Sequence, residues 1–166
     1  MQLQIKPLEK NQNKVGFSCG HVLLDDYIKK QAKQDVSRNL SACFVLVDHE
    51  NTVKGYYTLS SNSIRKDEFS KELAKKLPPS YFDIPTILLG RLAIDQSIKG
   101  QRWGEIILMD ALNRSLHIST SLGTMAIIVD PVDDIARKFY SKYGFIHLPG
   151  SGKMFIPLKT IEGLIL

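Results

Sequence analysis

The chain is expected to be an α/β protein, with a mixed central β-sheet flanked by α-helices. Three observations point there. An apolar run of strand length, interrupted by Gly90 and Arg91, stands at 88–94, and an unbroken one at 125–129, the signature of a strand buried on both faces. Between such runs lie segments whose apolar residues recur three and four apart, the helical period. No repeat, low-complexity tract or linker interrupts the 166 residues, so one domain over 1–166 is expected.

In chain order, "VLLDDYIKKQAKQ" sets Leu24, Tyr27, Ile28 and Ala32 at helical spacing, with Lys29, Lys30 and Lys33 on other faces. "ACFVLVDHENTVKGYYTLSS" predicts two strands joined by a turn around His49 to Lys54. "KDEFSKELAKKL" predicts a polar helix stopped by Pro78 and Pro79. The strand "TILLGRLAID" leads into a loop and then a helix, where Ile106, Met109, Leu112 and Leu116 share a face. "TMAIIVD" is a buried strand. "DPVDDIARKFYSKYGF" opens with the acids and proline that suit a helix start, carries Val132, Ile135, Ala136 and Phe139 on one stripe, and stops at Gly144. Two last strands flank Pro149 to Lys153.

Composition narrows the chemistry. The longest apolar runs fall well short of the ~20 residues that span a bilayer, and the first residues lack a signal peptide's apolar stretch, so the cytoplasm is expected. Cys19 and Cys43 are too few for a disulfide framework and are expected to be buried thiols. The four histidines never fall at metal-ligand spacing, so no metal is expected. A net charge of +5 favours an anionic partner once a site demands phosphate.

Such a site is offered by "GRLAIDQSIKGQRWGE". A strand ends, a polar loop with Gly100 and Gly104 follows, and a helix begins. N–H groups at a helix start have no intrahelical acceptor and can donate to a pyrophosphate, while glycines permit close approach. Alone, the pattern also suits a plain turn. "PGSGK" at 149–153 lacks Walker spacing and is expected to be a hairpin turn. In "ARKFYSKYGF", Phe139 is expected in the core. Tyr140 is either a second buried ring or a proton donor to a leaving thiolate.

In this order the two elements resemble the GNAT N-acetyltransferase superfamily. More narrowly, "FSCGHVLLDDYI", "VKGYYTLSS", "IPTILLGRLAID", "GEIILMDALNRS" and "DDIARKFYSKYGF" resemble successive blocks of the GNAT toxins of bacterial toxin–antitoxin modules. The resemblance implies a GNAT fold, acetyl-CoA as acyl donor, and acetylation of the α-amino group of aminoacyl-tRNA, which blocks translation. It also implies a ribbon-helix-helix antitoxin as partner and a possible homodimer. Carried onto this chain, it places acetyl-CoA against Leu92, Ala93, Ile94, Lys99, Gly100, Gln101, Arg102, Trp103, Gly104, Glu105, Asp133 and Phe139, and makes Tyr140 the general acid.

The loop departs from the family's approximate Q-G-x-G-x-G: Lys99 replaces the glutamine and Arg102 the second glycine. Either Arg102 keeps an ordinary negative φ and adds a charge-assisted contact to CoA, or its Cβ obstructs the approach. Asp133 stands where related proteins often carry asparagine. No carboxylate base is evident. An α-amine with a pKa of about 7.7–8 is roughly one-tenth neutral at pH 7, whereas a lysine side chain is neutral in under about one molecule in a thousand. Weak-base catalysis therefore suits aminoacyl-tRNA. Lys29, Lys30, Lys33, Arg38, Arg91, Arg137 and Lys142 are candidate tRNA phosphate contacts, with a solvated lysine face as the alternative for each. Tyr57 and Ser60, in "YYTLSS", are expected to wall the acceptor pocket, with sheet packing as the alternative for Tyr57. The rival functions are a GNAT acting on a small amine or protein N-terminus, and a non-catalytic module that holds CoA or antitoxin.

Overall fold

A computed structural model describes residues 2–165. Its strands are β1 (Gln4–Pro7), β2 (Ala42–Val47), β3 (Val53–Arg65), β4 (Asp83–Ile94), β5 (Ala126–Val129), β6 (Ile146–His147) and β7 (Met154–Pro157). Its helices are α1 (Val22–Asp26), α2 (Ala32–Ser37), α3 (Lys71–Lys75), α4 (Trp103–Ile118), α5 (Asp134–Lys142) and α6 (Leu158–Ile165). The seven strands follow the order β1-β2-β3-β4-β5-β7-β6. β4 and β5 pair in parallel and the other recorded pairs, β1–β2, β2–β3, β5–β7 and β6–β7, are antiparallel, so the sheet is mixed as the sequence predicts.

The chain divides into two compact units, one running to Ser60 and including Leu89–Ala111, the other made of Ser61–Leu88 and everything from Leu112 onward. In the first, α1 passes through a π-helical turn (Tyr27–Gln31) into α2. That widened turn keeps Tyr27 and Ile28 inward while Lys29 and Lys30 face solvent. Tyr27, Ile28 and Ala32 pack with Val45, Val47, Val53, Tyr56 and Ala93, the core that the helical spacing predicts. In the second unit, Ile64, Phe69, Ile84, Ala126, Ile128, Leu148 and Phe155 form a separate core, with Phe69 edge-on to Phe155 at 5.2 Å.

Three expectations shift. The polar helix after β3 is interrupted: Lys66–Glu68 is a 3₁₀ turn, Phe69 turns into the core, and Ser70 restarts the helix by accepting from the Leu73 N–H at 3.2 Å. In α4 the buried residues are Ile107, Leu108, Ala111, Leu112 and Ser115, while Ile106 is largely exposed. Several adjacent apolar residues allow more than one apolar face, and the packing of the helix, not its periodicity, selects this one. In α5 the expected stripe fails, because Val132 lies outside the helix and Ile135 is 80% exposed. The buried residue of the helix is instead Tyr140, which packs against Phe145 (centroids 5.2 Å apart). Gly144, at φ +98°, ends that helix as expected. The C-terminal α6 has no counterpart among the sequence expectations.

Gly55 on β3 has no room for a side chain: an added Cβ would meet Ile94 Cδ1 at 2.8 Å and the Ala93 carbonyl oxygen at 3.1 Å. Gly55→Ala is therefore expected to displace the end of β4 and to destabilise by about 1–3 kcal/mol, read as a lower urea midpoint at unchanged slope.

Candidate active site

The end of β4 is fixed from below by Asp95, which is buried. Its N–H donates to the Lys54 carbonyl at 2.8 Å, and its carboxylate accepts from the main-chain N–H groups of Ser18 and Ser97, each at 2.9 Å. Burial alone would raise this carboxyl's pKa. The hydrogen bonds from Ser97 and Ser18 and the Lys54 charge outweigh it, and the net shift is downward. The Gln96 N–H returns to the Ser18 carbonyl at 2.8 Å, and the Lys99 ammonium reaches the Cys19 carbonyl. Residues 18–19 are thus a buttress for the loop. Lys99 serves through its side chain, which the family's glutamine position does not suggest from sequence. The Asp95-x-Ser97 spacing is an Asx-turn signal that could have exposed Asp95.

Above this buttress the backbone alternates in hand. Gly100 has φ +80° and Arg102 φ +68°, while Gln101 between them has no positive φ. Alternation of this kind turns successive N–H groups into one concavity, an anion-binding nest. The Trp103 and Gly104 N–H groups follow, ahead of the first bond of α4, which runs from the Ile106 N–H to the Arg102 carbonyl at 3.2 Å. The expectation of an ordinary negative φ at Arg102 is therefore corrected. The position needs the left-handed conformation that a glycine adopts freely, and arginine holds it at a cost of about 1–2 kcal/mol. Its Nε donates to Glu105 Oε2 at 2.9 Å, with the arginine side chain 77% exposed.

Leu92 and Ile94 are half-buried and Ala93 is buried at the end of β4. The parallel register with β5 runs from Thr86↔Ala126 to Leu88↔Ile128, whereas β4 continues to Ile94. Arg91 is half-buried with its guanidinium 3.5 Å from the centroid of the Tyr27 ring. Tyr57 is fully buried, stacked on Phe44 at 5.3 Å, and donates to Asp110 Oδ2 at 2.5 Å. It follows the sheet-packing alternative and does not wall an open pocket. Ser60 is half-buried. Asp110 escaped the sequence reading because its partner is distant in sequence. Lys29, Lys33 and Arg38 are exposed, and Lys30 pairs with Asp26 at 3.3 Å.

In the second unit Tyr140 is 7% exposed, edge-on to Phe139 at 5.4 Å and to Phe145 at 5.2 Å. Its hydroxyl hydrogen-bonds to no described residue, and burial pushes its pKa upward, so the phenol stays protonated. Phe139, expected in the core, is instead half-buried beside Tyr143, because the core-facing ring of this turn is Tyr140. Asp133 caps α5 by accepting from the Ala136 N–H at 2.8 Å. Arg137 donates to the Gly152 carbonyl at 3.3 Å and lies 3.4 Å from His147 Nδ1, while exposed Lys142 lies 5.4 Å from the Tyr143 ring centroid. Both cysteines are buried free thiols. Burial foremost pushes the Cys19 thiol up to about 11 and the Cys43 thiol up to about 12, which argues against either as an acyl-accepting thiolate. Among the described residues no cluster could hold a metal ion, and no helix is long and apolar enough to cross a membrane.

Known proteins resemble this chain in sequence and in fold. A tRNA-acetylating toxin of Mycobacterium tuberculosis is 35% identical over 129 residues, covering 78% of this chain and 75% of that one. The crystal structure of a tyrosine-to-phenylalanine mutant of KacT superposes with a TM-score of 0.93 at 32% identity, covering 99% of this chain and all of that one. AtaT complexed with acetyl-methionyl-tRNAfMet gives 0.91 at 30% identity, with the same coverage. No family model matches the chain. The fold and these likenesses define a GNAT-fold acetyltransferase. Within that class, the chain belongs to the family of tRNA-acetylating toxins of bacterial toxin–antitoxin modules.

The backbone strain at Arg102 separates two variants. Arg102→Ala keeps a Cβ in the left-handed region and loses the Glu105 contact, whereas Arg102→Gly removes the strain. Gly is expected to melt above Ala by about 2–4 °C, the equivalent of about 1 kcal/mol at this size, in paired thermal melts.

Proposed function

We propose that the protein is an acetyltransferase toxin acting as a single domain in the cytoplasm. It moves the acetyl group of acetyl-CoA to the α-amino group of aminoacyl-tRNA and so removes the amine that peptide-bond formation needs. The observation that carries this reading is the alternating-hand turn at Gly100–Arg102 opening onto the start of α4, a diphosphate cradle. Solved relatives support the substrates and partner: AtaTR is bound with AcCoA, AtaT is complexed with acetyl-methionyl-tRNAfMet, and KacTA is in complex with DNA. The net charge of +5 and the solvated Lys29, Lys33 and Arg38 suit a polyanion, whose affinity falls as salt rises.

Acetyl-CoA supplies the thioester. The N–H groups of the loop hold its pyrophosphate, and the main chain of Leu92–Ile94 polarises the carbonyl that the amine attacks. As the C–N bond forms and the C–S bond breaks, Tyr140 gives its phenolic proton to the departing sulfur, and the proton shed by the product nitrogen restores it. Proton transfer from an unperturbed phenol of pKa about 10 to a thiolate of about 8.5 is uphill by about 2 kcal/mol. Burial steepens that slope, so the transfer accompanies C–S cleavage instead of preceding it. A tyrosine is the residue altered in solved forms of both KacT and AtaT, which supports the role.

The defining experiment incubates purified protein with labelled acetyl-CoA and total charged tRNA. Label in the aminoacyl moiety is expected, and label only in free amines or protein N-termini would replace the reading with a rival. Tyr140→Phe should bind CoA normally by calorimetry yet lose about 10²–10⁴-fold in turnover. In the wild type, kcat/KM should rise through the amine's pKa, which the electron-withdrawing ester places below the roughly 7.7–8 of a peptide α-amine. Because the Tyr140 pKa is raised, its protonated form persists, and no fall is expected below about pH 10.

A further inference from the structure

Arg91 differs from the candidate phosphate contacts of the α1–α2 region. Lys29, Lys33 and Arg38 extend into solvent and Lys30 is paired with Asp26. Arg91 is half-buried, on the same face of β4 as Leu89 and Ala93, both buried. Its guanidinium lies flat on Tyr27, 3.5 Å from the ring centroid. That ring is itself immobilised: it is 4% exposed, its hydroxyl donates to Asp35 Oδ2 at 2.8 Å, and it stacks on Tyr56 at 6.2 Å. Stacking fixes the plane of the fork and leaves its edge free. Among the described residues, Arg91 has no hydrogen-bond or ion-pair partner. A planar set of five donors, partly withdrawn from water and held rigid with no acceptor, matches a phosphate, which it can engage at two oxygens.

The direction of the chain says which phosphate. On the proposed reading, on which this inference rests, the acyl group lies at Leu92–Ile94 and the CoA diphosphate lies beyond it, at Lys99–Glu105. Arg91 precedes both, about 6–7 Å before Ala93 along an extended strand. A phosphate at Arg91 therefore lies on the acceptor side of the thioester, away from the cofactor's own phosphates. We propose that Arg91 is a specificity-determining residue that binds the phosphate of the acceptor's terminal nucleotide. In doing so it selects an amine esterified to a nucleotide over a free amino acid or a peptide N-terminus.

The test uses full-length protein and two small acceptors, a 3′-aminoacyl-adenosine analogue with and without a 5′-phosphate, beside charged tRNA. In the wild type the 5′-phosphate is expected to raise kcat/KM by about 10- to 100-fold, the worth of a charge-assisted hydrogen bond. In Arg91→Gln the gain should shrink to about twofold, with Arg91→Lys between them, as expected for a point charge replacing a fork. The acetyl-CoA Kd by calorimetry should be the same in all three. If Arg91→Gln is poorly folded by circular dichroism, the comparison rests on Arg91→Lys, expected to lose at least threefold of the phosphate gain. An equal gain in wild type and variants overturns the assignment, as does a parallel loss of acetyl-CoA affinity, which would make Arg91 a cofactor contact. Failure of the wild type to acetylate charged tRNA would instead count against the proposed function.

Discussion

Asp95 is the constraint on which the loop between β4 and α4 depends. Where β4 stops, its backbone and carboxylate tie together Lys54 on β3, Ser18 in the segment before α1, and Ser97 in the turn that follows. A buried carboxylate is stable as an anion only when hydrogen-bond donors or opposite charges surround it, and here main-chain N–H groups and the Lys54 charge do so. The same bonds fix where the next residues emerge. Lys99 adds a second tie to Cys19. The loop that follows is free to use its own N–H groups outward because its base is secured by other atoms.

Seen from that base, the arginine in a glycine-rich turn becomes intelligible. Position 102 requires a left-handed backbone, which glycine supplies without strain, and the arginine holds it while contacting Glu105. An ion pair this exposed contributes between nothing and about 1 kcal/mol, so it offsets the strain only in part. The gain lies in charge: the carboxylate of Glu105, in the first turn beside an anion cradle, is faced by a cation.

The cations of the first unit differ in setting. Exposed Lys29 and Lys33 carry charges that act at long range and that salt screens, while the Arg91 guanidinium is half-buried over Tyr27, as a proposed short-range contact requires. The two kinds of cation look alike in the sequence and separate only by their surroundings. Tyr140 shows the same economy, since the burial that places its ring also keeps its proton in place.

Much was legible beforehand. The apolar runs of β4 and β5, the α1–α2 core residues Tyr27, Ile28 and Ala32, the stop at Gly144 and the strand–loop–helix all follow from periodicity and turn chemistry, which are local properties of the chain. What the sequence left open depended on the neighbours a side chain meets. Tyr57 packs within the sheet and bonds to Asp110, and Ile135 is exposed on a helix whose buried residue is Tyr140. The sign of φ at Arg102, the grip of Asp95 on the loop and the stacking of Arg91 on Tyr27 were decided only by tertiary structure. Each joins residues far apart in the chain or a backbone angle imposed from outside, and periodicity encodes neither.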